Sequence, residues 1–377
     1  MRILIASDTF KDALSAEAVC EAIASGLRAA DDTLEVVQMP LADGGEGTAA
    51  ILAHHTGGQM VQDRATNPLF QPIMAEFGLS GDGKTAFIEM ASASGLQLLK
   101  PEERNPLQTS TMGTGALIIA AMSRGAEKII LGLGGSATND AGMGMAAALG
   151  YRFLDEHGQE LEPVGGSLSK VDRIDDSMLL FDPRNIEIIT LCDVDNPLFG
   201  EEGAAHIFAP QKGADQAAVE QLDAGLRNIA PKMEALAGKA VAAIPGSGAA
   251  GGMGAGCLTY LGATLRPGIE TIMDVAGFGA ALDQADLVIT GEGRLDEQTL
   301  RGKLISGITT RARQKGVPVV ALCGALQAAP GAIRSIGLQA AFSIQNRPVS
   351  LETALKETAE RLEDTAFHVA QLIVAKL

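Results

Sequence analysis

Short apolar runs that stop at acidic or glycine-rich tips, each followed by a helical pattern, recur along this chain. Residues 2–6 (RILIA) form such a run ahead of Asp8. Val19, Ile23 and Leu27 then fall at four-residue spacing, which predicts a helix with Ser15 as its N-cap. A second run, 35–40, leads to Asp43, and residues 44–48 open another helix. This is the start of a parallel sheet. The rhythm returns near the other end. Residues 286–290 (DLVIT) predict a strand that stops at the loop GEGRLD, followed by a helix to Gly316. Strands follow over 317–323 and 340–344. A long amphipathic helix from Ser350 closes the chain, with Leu355, Leu362, Val369 and Ile373 on its apolar side.

Between these ends the pattern changes. PIMAEFGLS and TAFIEMAS alternate as strands around a GDG turn. A helix over 111–124, the strand KIILGLG, a helix after Asp140, the strand IEIITLCDVD and a helix over 217–237 follow. The expected organisation is a discontinuous domain of residues 1–64 and 283–377, with residues 65–282 inserted as a second α/β domain with a mixed sheet. A chain of 377 residues is longer than one core usually organises, which agrees with two domains.

Composition narrows the chemistry. Aromatics are 3% and Trp is absent, so the cores must be aliphatic. A formal net charge of −17 argues against nucleic acid or an anionic membrane as partner. No apolar stretch is long enough to span a bilayer, and no signal peptide is read at the N-terminus. Cys20, Cys192, Cys257 and Cys323 are scattered without a CxxC pair, so reduced thiols and a cytoplasmic location are expected. The five histidines have no zinc-ligand spacing.

Three glycine-rich segments invite a phosphate reading. Residues 78–85 (GLSGDGKT) match a phosphate-loop expression, but the sequel is a strand pattern rather than a helix, so a hairpin with an exposed Lys84 is expected. Residues 246–251 (GSGAAG) match the dinucleotide fingerprint, without a clear second strand downstream. A glycine loop at a helix N-terminus is the favoured reading, and tight packing through small residues is the alternative. GLGGSATNDAGMGM is the strongest signal: a strand feeds directly into glycines, the hydroxyls of Ser136 and Thr138, and then Asn139 and Asp140 as helix caps. Four segments also carry acidic groups after a strand: SDTFK, ADGGEGT, CDVDNP and GEGRLDEQT. In open parallel sheets ligands bind outside the carboxyl ends of the strands. Carboxylates clustered beside glycine loops suit a magnesium–nucleotide complex.

Together SDTFKDALSA, PLADGGEGT, SGLQLL, TSTMGTG, GLGGSATNDAGMGM, CDVDNPLFG, APQKGA, GSGAAGGMGAG and GEGRLDEQT resemble, in order, the bacterial type I glycerate kinases. Two departures stand out. Thr9 and Asp12 replace the family's usual Ser and Gly or Glu, and Ala141 stands where a Gly is common. The resemblance implies a flavodoxin-like, doubly wound parallel-sheet domain plus the inserted domain, with the active site in the cleft between them. It also implies ATP- and Mg²⁺-dependent phosphorylation of D-glycerate to 2-phosphoglycerate. The 3-phosphate as product, or an NAD(P)-dependent hydroxy-acid oxidoreductase, are alternatives. Within that frame Asp8, Asp43 or Asp193 is expected to take the hydroxyl proton. Lys11, Lys212, Arg294 and Lys303 would hold the substrate carboxylate or neutralise phosphates. Glu292 and Asp296 are candidates for Mg²⁺. Gly134, Gly135, Ser136, Thr138 and Asn139, with Gly246, Gly248, Gly251 and Gly252, are candidates for phosphate. The sequence leaves open whether the chain forms a homo-oligomer.

Overall fold

The computed structural model describes residues 1–45, 47–296 and 303–375, without the side chains of Arg184 and Lys303. In chain order its strands are β1 (Arg2–Ile5), β2 (Glu35–Gln38), β3 (Gln59–Thr66), β4 (Pro72–Leu79), β5 (Thr85–Glu89), β6 (Lys128–Gly132) and β7 (Arg152–Leu154). Then come β8 (Arg173–Asp175), β9 (Glu187–Leu191), β10 (Thr264–Arg266), β11 (Leu287–Leu295), β12 (Val319–Leu326) and β13 (Ala340–Ser343). The chain divides into two compact units, Met1–Asp43 with Ile269–Leu377 and Gly44–Gly268.

The first unit holds a five-stranded sheet ordered β13-β12-β11-β1-β2, and every neighbouring pair is parallel. Counted within the unit this is the 2-1-3-4-5 order of the flavodoxin-like fold, with its switch point between β1 and β11. The helix Ala16–Ala30 starts at Ser15, whose hydroxyl accepts from the Ala18 N–H at 3.3 Å. Its Val19, Ile23 and Leu27 are fully buried against the sheet residues Ile3, Ile5, Ile289 and Leu322. The helix expected from Ser350 is two, Leu351–Lys356 and Thr358–Val374. Leu362 and Val369 of the second join the same core.

The second unit holds a six-stranded mixed sheet ordered β10-β9-β6-β5-β4-β3. Strands β5, β6, β9 and β10 are parallel to one another, and β3 and β4 are antiparallel additions at one side. GLSGDGKT is the β4–β5 hairpin. Ser80 N–H donates to Thr85 O at 2.9 Å, Gly83 has φ 72°, and Lys84 pairs with Glu127 at 3.2 Å. It is not a phosphate loop, because no helix follows it.

Three expectations differ from the structure. The unit boundaries fall at 43/44 and 268/269 rather than 64/65 and 282/283. β3 pairs with β4 along its whole length and the helix Thr48–His55 packs on β4 and β5, which ties residues 44–66 to the second unit. The helix Phe278–Leu282 packs instead on the helix Lys303–Lys315 of the first. Lastly, GEGRL is not a loop. It extends β11, with Glu292 opposite Cys323 and Arg294 opposite Ala325.

The helices Ala16–Ala30 and Thr358–Val374 meet at Gly26, where an added Cβ would lie 2.1 Å from Glu363 O. Helix propensity alone favours Gly26→Ala by about 1 kcal/mol. The close backbone approach reverses the sign. Gly26→Ala is expected to lower Tm, at an overpacking cost of ~1–3 kcal/mol, in a thermal melt followed by circular dichroism. An unchanged or raised Tm would count against this packing.

Candidate active site

In the first unit the carboxyl ends of β1, β2 and β11 bring acidic groups together at the switch point. After β1 the chain stays joined to β11: Ser7 Oγ donates to Gly291 O at 3.0 Å, and Asp8 N–H to the same oxygen at 3.3 Å. Asp8 Oδ1 accepts from the Thr9 N–H at 2.6 Å and faces its hydroxyl at 3.3 Å. Burial, reinforced by the Asp43 charge, pushes the Asp8 carboxyl up to about 6, against the pull of the Thr9 hydrogen bonds. Glu292 is affected more. Burial first, then the charges of Asp8, Asp296 and Asp43, push it up to about 8. Its Oε1 is buried without a hydrogen-bond partner among the described residues. Asp296 pairs with Arg294 at 2.8 Å, and the Arg294 side chain is 62% exposed. Lys11 and Asp43 are exposed. The Lys303 side chain lies outside the described residues, so that expectation has no structural counterpart here.

Among the described residues no three His, Cys, Asp or Glu side chains are placed to enclose a metal. The donors nevertheless suit Mg²⁺, which keeps several waters and takes only one or two carboxylates. The unpartnered buried oxygen of Glu292, set among like charges, is the observation that fits a cation.

In the second unit the glycine loop after β6 is organised from below by two buried charges. Lys212, 1% exposed, donates from Nζ to Ser136 Oγ and to Thr138 O, both at 2.7 Å. Burial pulls its ammonium down to about 7, and the Asp140 charge opposes that fall. Asp140 is fully buried. Its carboxylate accepts from the N–H and hydroxyl of Thr111, both at 2.8 Å, and from the N–H groups of Gly144 and Gly142 at 3.0 and 3.2 Å. Burial pushes that carboxyl up and these donors pull it back, as suits a carboxylate capping the helix Met143–Ala148.

This arrangement changes several expectations. Lys212 was expected to meet the substrate, but its ammonium is spent inside the protein on the loop. Ser136 is 9% exposed, and Thr138 and Asn139 are fully buried. Only Gly134 and Gly135 present backbone at the surface. The glycines of GSGAAGG are surrounded by protein as well. An added Cβ would lie 2.7 Å from Cys192 Sγ at Gly246, 2.1 Å from Pro197 O at Gly248, 2.1 Å from Thr138 O at Gly251 and 2.8 Å from Leu198 Cδ1 at Gly252. Gly248 N–H donates to Asn196 O at 2.9 Å and Gly251 O accepts from Ala141 N–H at 3.1 Å, so the segment joins two functional loops. The residues before it form turns rather than a strand, so no dinucleotide fold is built there. Packing through small residues is what the geometry shows.

Asp193, after β9, accepts from the Gly268 N–H at 2.9 Å through Oδ1. A cavity of roughly 340 Å³ lies at the carboxyl ends of β5 and β6, with Gly44, Gly45, Glu89, Ser92, Gln97 and Gly134 among its walls. Glu89, Ser92 and Gln97 were not expected to line a site. The nearest signal was SGLQLL, a motif of the resemblance with no chemistry attached to it.

The model of the Glycerate kinase family matches residues 3–374. A glycerate kinase of Bacillus cereus is 46% identical over 98% of this chain and 97% of its own length. The glycerate 2-kinase of Escherichia coli K12 is 43% identical, covering 94% of this chain and 93% of its own. A crystal structure of a protein from Salmonella typhimurium LT2 assigned as glycerate kinase 2 superposes with a TM-score of 0.91 at 43% identity, over 100% of this chain and 98% of that one. The chain therefore belongs to the glycerate kinase family and is a kinase.

Proposed function

We propose that this kinase transfers the γ-phosphoryl group of ATP to the 2-hydroxyl of D-glycerate. Family membership supports the phosphoryl transfer and the acceptor, and the name of the Escherichia coli relative supports the 2-position. The observation that carries the chemistry is the acidic group at the switch point of the first unit, where Asp8 is pushed up to about 6 and Glu292 to about 8.

Phosphoryl transfer asks the protein mainly to position the reactants and to balance charge. Asp8 is the proposed base. Its raised pKa keeps it a carboxylate at neutral pH while improving its grip on a proton, as general-base catalysis requires. Thr9 fixes Oδ1 and thereby the direction of the carboxylate. Glu292 and Asp296 would hold Mg²⁺, which would neutralise charge on the phosphoryl oxygens. Arg294, held by Asp296, and Lys11 would meet the anionic substrate. In the second unit Gly134 and Gly135 offer backbone donors to phosphate, on a loop that Lys212 fixes from behind. Asp43 and Asp193 support the charge balance rather than the proton transfer in this reading.

Asp8→Asn is expected to lower kcat by ~10²–10⁴ while the protein still folds with the parent's circular dichroism spectrum, the rate being measured by glycerate-dependent ADP release. Near-normal kcat would remove Asp8 as base, and phosphorus-coupled ¹³C NMR of the product reads the position directly. Lys84→Ala should leave kcat and KM unchanged, since Lys84 belongs to an exposed hairpin. Lys212→Met leaves the Thr138 carbonyl and the Ser136 hydroxyl without their charged donor. It is expected to lose roughly 1.5–3 kcal/mol of stability, together with activity.

Glu292 supplies a pH test. Its folded pKa lies above the ordinary value of 4.5, so the folded state binds the proton more tightly than the unfolded state. Stability is therefore lost as pH rises from about 4.5 to about 8. In metal-free buffer Glu292→Gln should melt a few degrees above the parent at pH 8.5, with the gap shrinking towards pH 5. A gap that is constant, or widest at low pH, would contradict this.

A further inference from the structure

The cavity beside Gly134 and Gly135 has walls, beyond those two glycines, that the assignments above leave unused, and their chemistry is definite. Resting on the ATP-dependent reading, we propose that it seats the nucleoside part of the phosphoryl donor, with Glu89 receiving the ribose hydroxyls and Gln97 facing the base.

Size is the first argument. About 340 Å³ falls in the range of pockets for drug-sized ligands and exceeds what a three-carbon acid fills. Charge is the second. Among the described residues, Glu89 is the charged side chain in its lining. A carboxylate there repels the carboxylate of glycerate and attracts neutral O–H and N–H donors, which a ribose diol and an aminopurine edge both provide. Glu89 is also fixed in place. It ends β5 opposite Gly132, and its Oε1 accepts from the Ala49 N–H at 2.8 Å in the first turn of the helix Thr48–His55.

Gln97 is held as firmly. Its side chain folds back so that Nε2 donates to Ala91 O at 2.8 Å. An added Cβ on Gly95 would lie 2.2 Å from Gln97 Oε1, so this fold-back needs glycine at position 95. A primary amide held this way offers a donor and an acceptor side by side, the pairing that Asn and Gln use on an adenine edge. The Gln97 wall is stitched to the phosphate-facing loop. Leu96 N–H donates to Gly135 O at 2.8 Å and Ala137 N–H to Ser94 O at 2.9 Å. A nucleoside in the cavity would thus place its phosphates at the backbone of Gly134 and Gly135.

The test is steady-state kinetics on the full chain with ATP and 2′-deoxy-ATP, for the parent, Glu89→Gln and Gln97→Leu. Glu89→Gln keeps an acceptor for Ala49 N–H. Losing one hydrogen bond to a charged group corresponds to a rise of about tenfold or more in KM for ATP, with KM for glycerate unchanged. The parent should prefer ATP to 2′-deoxy-ATP, and Glu89→Gln should lose that preference. Gln97→Leu should raise KM for ATP without a change in melting temperature. A rise in KM for glycerate instead, or no change in either, overturns the proposal. Calorimetry with ADP separates this proposal from the function it rests on. A parent that does not consume ATP with glycerate defeats the function, whereas ADP bound equally well by the parent and both variants defeats the assignment of the cavity.

Discussion

Two buried charges, Lys212 and Asp140, set the conditions under which the glycine loop of the second unit can exist. An ammonium and a carboxylate removed from water each lose several kcal/mol of solvation unless protein groups replace it. The replacement comes from residues 136–144 and from Thr111. Ser136 Oγ and Thr138 O face the ammonium, while Gly142 and Gly144 N–H face the carboxylate together with Thr111. The loop is therefore anchored at alternate points by charges beneath it. Its surface at Gly134 and Gly135 remains exposed, which would suit the proposed contact with an anion, since such a loop need not rearrange.

The first unit uses the opposite arrangement. Asp8, Asp43, Glu292 and Asp296 are gathered where parallel strands end, and like charges there destabilise one another. Such a cluster persists because the order of the sheet forces β1 and β11 to be neighbours at the switch point. Its electrostatic cost is lowered when a cation or a proton arrives, so the fold stores an affinity for both. Asp8 and Glu292 then differ in proton affinity mainly through environment, the usual route by which chemically similar groups acquire distinct roles.

Much of this was legible in the sequence, and the failures have physical causes. The apolar run before Asp8 marked a strand correctly because β1 lies inside a parallel sheet, is buried and reads as continuous hydrophobicity, whereas β2, ahead of Asp43, is a half-buried edge strand carried by its two valines. GEGRL lacks that signature, since Glu292 and Arg294 alternate with glycines, yet pairing with β12 carries the strand through it. β3 (QMVQDRAT) was missed for a related reason: it lies at the edge of its sheet and is largely polar. The burial of Lys212 was not legible in the sequence, because only the tertiary fold brings Ser136 Oγ and Thr138 O to its ammonium. The glycines at 246–252 show the limit of motif reading. The same residues that let a backbone approach phosphate also let it approach Thr138 O, and spacing alone does not distinguish the two.

The departures from the family pattern sharpen that last point. Ala141 stands where a glycine is common, and the structure gives it φ 53°, in the left-handed region. Asp12, the other departure, has φ 62°. Both positions thus ask for glycine-like backbone, and this chain meets the demand with side chains that carry of order 1–3 kcal/mol of strain each. At Asp12 a short polar side chain tolerates that region. At Ala141 the surroundings hold it: its N–H donates to Gly251 O at 3.1 Å, and the adjoining Asp140 is tied to Thr111, Gly142 and Gly144. The buried network that shapes the loop after β6 is therefore strong enough to impose an unfavourable backbone angle on a neighbour, and the loop's geometry follows from the buried charges rather than from local backbone preference.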